Sequence, residues 1–341
     1  MIDSGTTHTA ATSRRRFLQA SVLGAAALPV ALAGCGQAPA AEADNQSQLP
    51  ASIAALGPVR SQIVPIADAE REARLHRAQR LMAENRMDAL FMRGGSSLFY
   101  FTGMQWFNSE RTMGMVLPQT GDPIYVTPAF EKGRGEEQIK FGHEVRTWQE
   151  DESPYQKIAQ ILADVHAAGG TVGIEEQVPY FMSTGIAAAS PHVRLVSGTS
   201  VTAGCRSVKS AAELALMQVA NNATLAVYHA VWQALEPGMT QQQVAALIAA
   251  AYQRQGLRGG ASINVGEYTA LPHGSIAPQH IVEGTVVMLD DGCTVEGYQS
   301  DITRTFVLGK ASDKMKRVFE IVQRAQRAAL TAARPGAPMQ S

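Results

Sequence analysis

Residues 286–307 read Val-Val-Met-Leu-Asp-Asp-Gly-Cys-Thr-Val-Glu-Gly-Tyr-Gln-Ser-Asp-Ile-Thr-Arg-Thr-Phe-Val. An apolar, β-branched run, Val286 to Leu289, leads into Asp290, and a second β-prone run, Ile302 to Leu308, follows Asp301. Gly292 and Gly297 punctuate the segment between them, so the stretch predicts a β-hairpin. With the turn centred on Val295 and Glu296, Asp290 and Asp301 stand directly opposite each other, their Cβ atoms roughly 5 Å apart. Two carboxylates at that separation repel by about 3 kcal/mol at an effective dielectric near 20. A shared proton, an arginine clamp or bound divalent cations would each relieve that repulsion, hard cations being natural partners of carboxylate oxygens. The spacing alone equally allows two aspartates that merely decorate an exposed turn.

The whole string is more specific than its spacing. Asp290-x-Gly292 followed by Gly297-Tyr298-x-Ser300-Asp301-Ile302-Thr303-Arg304-Thr305-Phe306 resembles the central signature of the pita-bread metallopeptidases, the Xaa-Pro aminopeptidases and prolidases. The resemblance runs from about Asp68 to the last residue. It implies an α/β, creatinase-like N-terminal domain followed by an α+β pita-bread domain that is incomplete at its C-terminus. It also implies that Asp290 and Asp301 are ligands of a centre of two divalent ions, with manganese or cobalt preferred and zinc or iron allowed. Thr303 would orient a ligand carboxylate from behind. His273, in the Pro272-His273-Gly274 string ahead of the hairpin, would contact the substrate or the developing oxyanion. The substrate implied is a peptide with proline at its second position, and a homodimer is left open.

The family's remaining ligands are a histidine and two glutamates further along the chain. Here no histidine follows His280, and Glu320 is the one glutamate after Asp301. The expectation is therefore a chain that is inactive by itself, the activity belonging to a longer parent. Two rivals share the fold: a metal-free creatinase-like amidinohydrolase, which lacks the paired aspartates, and a non-enzymatic binding protein whose metal site has decayed.

The chain has 341 residues, 45% of them hydrophobic and 17% charged, enough for two domains with cores of their own. With 29 basic and 30 acidic residues the charge is balanced, and no basic stripe interleaved with aromatics points to nucleic acid. Residues 1–35 predict an export signal. Arg14 and Arg15 precede an apolar stretch, Ala20 to Ala33, that is short for a membrane span. The string resembles a twin-arginine signal, and Leu32-Ala33-Gly34-Cys35 resembles a bacterial lipobox whose cysteine is acylated. A lipid-anchored protein of the bacterial cell envelope, on the periplasmic or outer face, is the expectation. A plain cleaved signal with an incidental Cys35 is the alternative. The other two cysteines, Cys205 and Cys293, make no disulfide framework and predict small buried side chains.

Residues 36–66, rich in Ala, Pro, Gln and Ser, predict a flexible linker. In residues 67–197 a helix over Ala69 to Asn85 precedes alternating strands and helices, with strands at Ala89 to Met92, Met113 to Leu117, Pro123 to Thr127 and Thr171 to Ile174. Gly94-Gly95 lacks the following Lys-Ser/Thr of a phosphate loop, and Glu110, Glu131 and His143 show no ligand spacing. Residues 198–341 form the partial catalytic domain, with a crossing at Val201 to Ser210. A helix then opens on a capping box of Ser210 and Glu213, its apolar side formed by Leu214, Met217, Ala220, Ala223, Leu225 and Val227 to Val231. It carries His229 as a plain core or surface residue. Further helices are predicted over Thr240 to Gln255 and Lys314 to Ala333, the second stopped by Arg334-Pro335-Gly336.

Overall fold

The structure, a computed structural model, describes residues 49–338. Arg14, Arg15 and Cys35 lie outside that range, as do residues 36–48 of the expected linker. No helix among the described residues is long and apolar enough to cross a membrane.

From Leu49 onward the expected linker is not a tether. Its short helix α1 (Ala51–Ala54) buries Ile53 completely, and Ile66 is 5% exposed; both pack into the core of the C-terminal half. Ile53, Leu56, Ile63 and Ile66 supply apolar surface that an Ala/Pro-rich composition hides when it is averaged over the whole segment.

The N-terminal domain begins with α2 (Asp68–Glu84), whose first turn carries Asp68 and Glu70 against the positive end of the helix dipole. Strand β1 (Ala89–Arg93) and helix α3 (Ser96–Thr102) follow, then β2 (Gly114–Pro118), β3 (Ile124–Pro128), α4 (Lys132–Glu136) and β4 (Val145–Trp148). Helix α5 (Pro154–Asp164), β5 (Thr171–Ile174), α6 (Tyr180–Ala189), β6 (Arg194–Ser197) and α7 (Thr199–Arg206) complete it. The six strands form one mixed sheet in the order β4-β3-β2-β1-β5-β6. Side-chain alternation sends Leu90 and Met92 of β1 into one core with Leu75, Ala78 and Met82 of α2. Ala89 and Phe91 enter a second core with Ile158, Ile161 and Leu162 of α5. The expected crossing at 201–210 is too long: α7 reaches Arg206, and Val201 and Cys205 are buried in the first of these cores. The crossing shrinks to Ser207–Ser210.

In the C-terminal half, α8 (Ala211–Ala234) opens on the predicted capping box. The Ser210 hydroxyl accepts from the Glu213 N–H and the Glu213 carboxylate accepts from the Ser210 N–H. Its buried side is Leu216, Ala220, Ala223, Val227, Ala230, Val231 and Ala234. Leu214 and Leu225, expected on that side, face out at 54% and 37% exposure, because the true stripe follows a 3.6-residue period from Glu213. Helix α9 (Gln241–Arg254) has a capping box of Thr240 and Gln243, and the chain leaves it through Gly256 at φ 74°. A three-stranded antiparallel sheet, ordered β11-β8-β7, packs on these helices. It is made of β7 (Ser262–Val265), β8 (Val286–Asp291) and, after the small ribbon of β9 (Thr294–Val295) and β10 (Tyr298–Gln299), β11 (Ile302–Val307). Helix α10 (Asp313–Ala332) follows with Val318, Phe319, Ile321 and Val322 all more than half exposed.

Candidate metal-binding face

The hairpin predicted over 286–307 is present, with its turn one residue later than expected. Val295 pairs with Tyr298, and the two residues between them, Glu296 and Gly297, have φ of 49° and 81°. Positive φ at both positions is the type I′ loop whose twist matches antiparallel strands, and Gly297 makes it accessible. Moving the turn by one residue moves the register by two. Asp290 therefore faces Thr303, not Asp301. Because side chains alternate with period two, a shift of two keeps the face. Asp301 stays on the same side as Asp290, as its diagonal neighbour at roughly 7 Å. The direct opposition inferred from the sequence is thus corrected to a diagonal one, and the repulsion falls to about 2 kcal/mol on the same dielectric.

The two faces of this sheet differ sharply. Val287 and Leu289 of β8, with Ile263 and Val265 of β7, are 0–6% exposed and enter the core beneath α8 and α9. The opposite face carries Asp290 between Thr303 on one side and Ser262 on the other, with Asp301 beyond. Thr303 Oγ1 donates a hydrogen bond to Asp290 Oδ1, so the threonine fixes the rotation of that carboxylate. Asp291, which the sequence reading passed over, has φ 140° and accepts the Gly292 N–H on its Oδ1 at 2.8 Å. A non-glycine residue at positive φ is strained, and here the strain marks where the regular ladder gives way to the β9–β10 ribbon.

His273 lies on an exposed loop after β7. Gly274 fastens that loop: its φ is 66°, and a Cβ there would lie 2.1 Å from Asn264 Oδ1. Asn264 shares its face with Ser262, the β7 partner of Asp290. The backbone beside His273 therefore rests on the aspartate side of the sheet. Tyr228 of α8 also bears on the site. Its hydroxyl is buried without a hydrogen-bond partner. Burial first, then Tyr252 and the charges of Asp291, Asp290 and Asp301, push its pKa well above the ordinary phenol value. Periodicity placed Tyr228 in the core, and nothing in the sequence marked its hydroxyl. His229, by contrast, stacks against Trp232 at 5.8 Å on the outer side of α8.

These donors suit a hard divalent cation in kind, being carboxylate oxygens on one solvent-facing surface with an oriented ligand at Asp290. They fall short in number, since no group of three or more His, Cys, Asp or Glu side chains among the described residues stands close enough to hold a metal ion. Asp290 and Asp301 can therefore hold part of a centre.

An α/β domain joined to an antiparallel sheet with two backing helices, its outer face carrying two aspartates, is the creatinase-type, pita-bread architecture. Residues 74–208 match the creatinase/prolidase N-terminal domain, and residues 215–341 match metallopeptidase family M24. The chain is 32% identical over 275 residues to the "Probable dipeptidase PepE" of Mycobacterium tuberculosis, covering 79% of this chain and 72% of that protein. It is 27% identical over 271 residues to the Xaa-Pro dipeptidase of Pyrococcus furiosus, covering 77% and 72%. Among solved structures, dipeptidase PepE from Mycobacterium ulcerans superposes with a TM-score of 0.72 at 30% identity, covering 80% of this chain and 74% of that one. The chain belongs to the M24 family of metallopeptidases.

Proposed function

We propose that this face is the metal-binding part of a peptidase that cleaves Xaa-Pro bonds, of the dipeptidase or aminopeptidase P type, with two divalent ions, manganese or cobalt first. The observation that carries the reading is the pair Asp290 and Asp301 on the uncovered face, with Thr303 fixing one of them, in a chain of a metal-dependent peptidase family. Bound ions of this kind supply a water acidic enough to ionise near neutral pH and a Lewis-acid contact for the scissile carbonyl. Asp290 and Asp301 would supply two of the ligands that hold them. Thr303 keeps the Asp290 carboxylate turned outward, and His273 lies on a loop from which it can donate to the oxyanion that forms on attack. Mn²⁺ uptake by this chain, followed by the loss of its free-ion resonance, and hydrolysis of Xaa-Pro and Xaa-Ala dipeptides by the longer parent protein test this. Asp301→Ala should abolish both uptake and Xaa-Pro cleavage. Undiminished uptake in that variant, or no preference for proline in the loaded protein, overturns the reading.

Export by the twin-arginine route and a lipid tether at Cys35 are proposed from Arg14-Arg15 and the Leu32 to Cys35 string. Labelled fatty acid should appear on the protein and vanish in Cys35→Ala; equal labelling of the variant removes the tether.

A further inference from the structure

The segment joining Asp290 to Asp301 is fixed at both of its ends, and one end is held by the other domain. Cys293 to Ser300 form an arm built of β9 and β10. At its base, Ser300 Oγ and Thr224 Oγ1 are 2.7 Å apart, and the Tyr252 hydroxyl donates to Thr224 Oγ1 at 3.0 Å. Ser300 Oγ also accepts the Cys293 N–H at 2.9 Å, so the buried hydroxyl chain of α8 and α9 ties the two sides of the arm together. At its tip, the Tyr298 hydroxyl donates to Glu213 Oε1 at 3.0 Å and lies 3.4 Å from Arg74 Nη2.

Arg74 belongs to α2 of the N-terminal domain. Its Nη1 donates to the Tyr100 carbonyl at 2.9 Å, its guanidinium lies 4.1 Å from the centre of the Tyr100 ring, and its Nη2 donates to Glu70 at 2.6 Å. Burial works against the Glu70 charge, and hydrogen bonds from the Ser210 hydroxyl and Arg74 outweigh it, leaving that carboxyl below its ordinary value. Gly297 completes the contact. A Cβ on it would lie 2.3 Å from Phe99 Cε1, so the turn is pressed against α3 as closely as a glycine permits. Neither half of this joint is surface decoration: the side chains of Arg74 and Glu213 are 6% and 2% exposed.

The geometry points to Tyr298 as a positioning residue: its hydroxyl, held by Glu213 and Arg74, locks the arm between Asp290 and Asp301 to the N-terminal domain, which thereby sets how the two carboxylates stand to each other. The consequence for metal rests on the reading given under Proposed function. The lock itself does not.

Tyr298→Phe deletes the hydroxyl and leaves both buried charges paired, which avoids the large penalty of stranding one of them. Ser52→Ala serves as its match. It deletes the one hydrogen bond from Ser52 Oγ to the Ala230 carbonyl, on another part of α8. Hydrogen exchange of peptides spanning 292–301 and Mn²⁺ affinity are measured for both variants and the wild type. In Tyr298→Phe the amides of Cys293 and Ser300 should exchange about fivefold faster, the factor expected for one lost hydrogen bond, and Mn²⁺ should bind about tenfold more weakly. Ser52→Ala should leave both readouts at the wild-type level. Unchanged exchange in Tyr298→Phe, or equal acceleration in Ser52→Ala, overturns the lock. Faster exchange with unchanged Mn²⁺ affinity overturns the control of the carboxylates. A wild type that takes up no Mn²⁺ at all breaks the metallopeptidase reading of the face, and the exchange comparison still decides the lock.

Discussion

The two sheets of this protein are built from similar strands and used differently. In the N-terminal sheet both faces are covered, so successive residues of β1 are all lost to solvent: Ala89, Leu90, Phe91 and Met92 are each 0% exposed, split between two cores. In the C-terminal sheet β8 is covered on one face alone, and burial alternates from Val286 to Asp290. Chemistry that needs solvent and charge has room only on the second. That uncovered face is the one carrying Asp290 and Asp301, and helices α2 and α3 of the N-terminal domain reach the arm between them from outside, through Arg74 beside Tyr298 and Phe99 beside Gly297. A sheet buried on both sides is a scaffold; a sheet buried on one side is a scaffold with a worktop.

The largest effects should come from neighbouring substitutions that test this difference. In β1, Phe91→Ala and Met92→Ala remove side chains from opposite cores, and each should cost about 2–5 kcal/mol. In β8, Leu289→Ala should cost a similar amount, while Asp290→Ala, the very next residue, should cost about 1 kcal/mol or less, the hydrogen bond from Thr303 being its main loss. Denaturant unfolding of the four variants measures it. If Asp290→Ala unfolds as easily as Leu289→Ala, the outer face is structural and the comparison of the two sheets collapses.

Much of this arrangement was legible in the chain. Local chemistry wrote the capping box at Ser210 and the cap at Thr240, and the β-branched runs on either side of Gly297 gave the hairpin. The family resemblance supplied the two-domain order that the matches at 74–208 and 215–341 bear out. What failed did so where a decision depended on distant partners. The turn was set one residue early because Glu296 does not advertise positive φ; only the strand pairing, and the press of Gly297 on Phe99, select it. Strand β7 was missed because four residues, Ser262–Val265, hold too little pattern to stand out from the glycines before them. Residues 49–66 read as a tether because scattered isoleucines become a core only when α8 and α9 are present to receive them. The lock at Tyr298 joins residues more than two hundred positions apart, and no local rule reaches that far.

The smallest expected effect concerns a carboxylate that the N-terminal sheet hides where the C-terminal sheet displays its own. Glu175, just beyond β5, is 3% exposed. Burial raises its pKa above the ordinary value of 4.5. The Ser97 hydroxyl and the Gln177 N–H, at 3.0 and 3.1 Å, and the nearby Arg206 pull it down, the neighbouring charge of Glu176 pushes it further up, and the net direction is upward. A folded value above the unfolded one means that the folded protein binds the proton more tightly. The stabilisation is then complete below about pH 4.5 and is lost as pH rises through the folded value. Glu175→Gln is neutral throughout and has no such loss. Its melting temperature minus that of the wild type should therefore grow between pH 4 and pH 7, by about 1–2 °C, whatever constant offset the amide introduces by pairing imperfectly with Ser97 and Gln177. Taking the difference between two proteins cancels every titrating group that is not coupled to Glu175, so the slope belongs to Glu175 and its neighbour Glu176. A gap that stays flat with pH would mean that water reaches this carboxylate in solution, and that the N-terminal sheet is less completely closed than its packing implies.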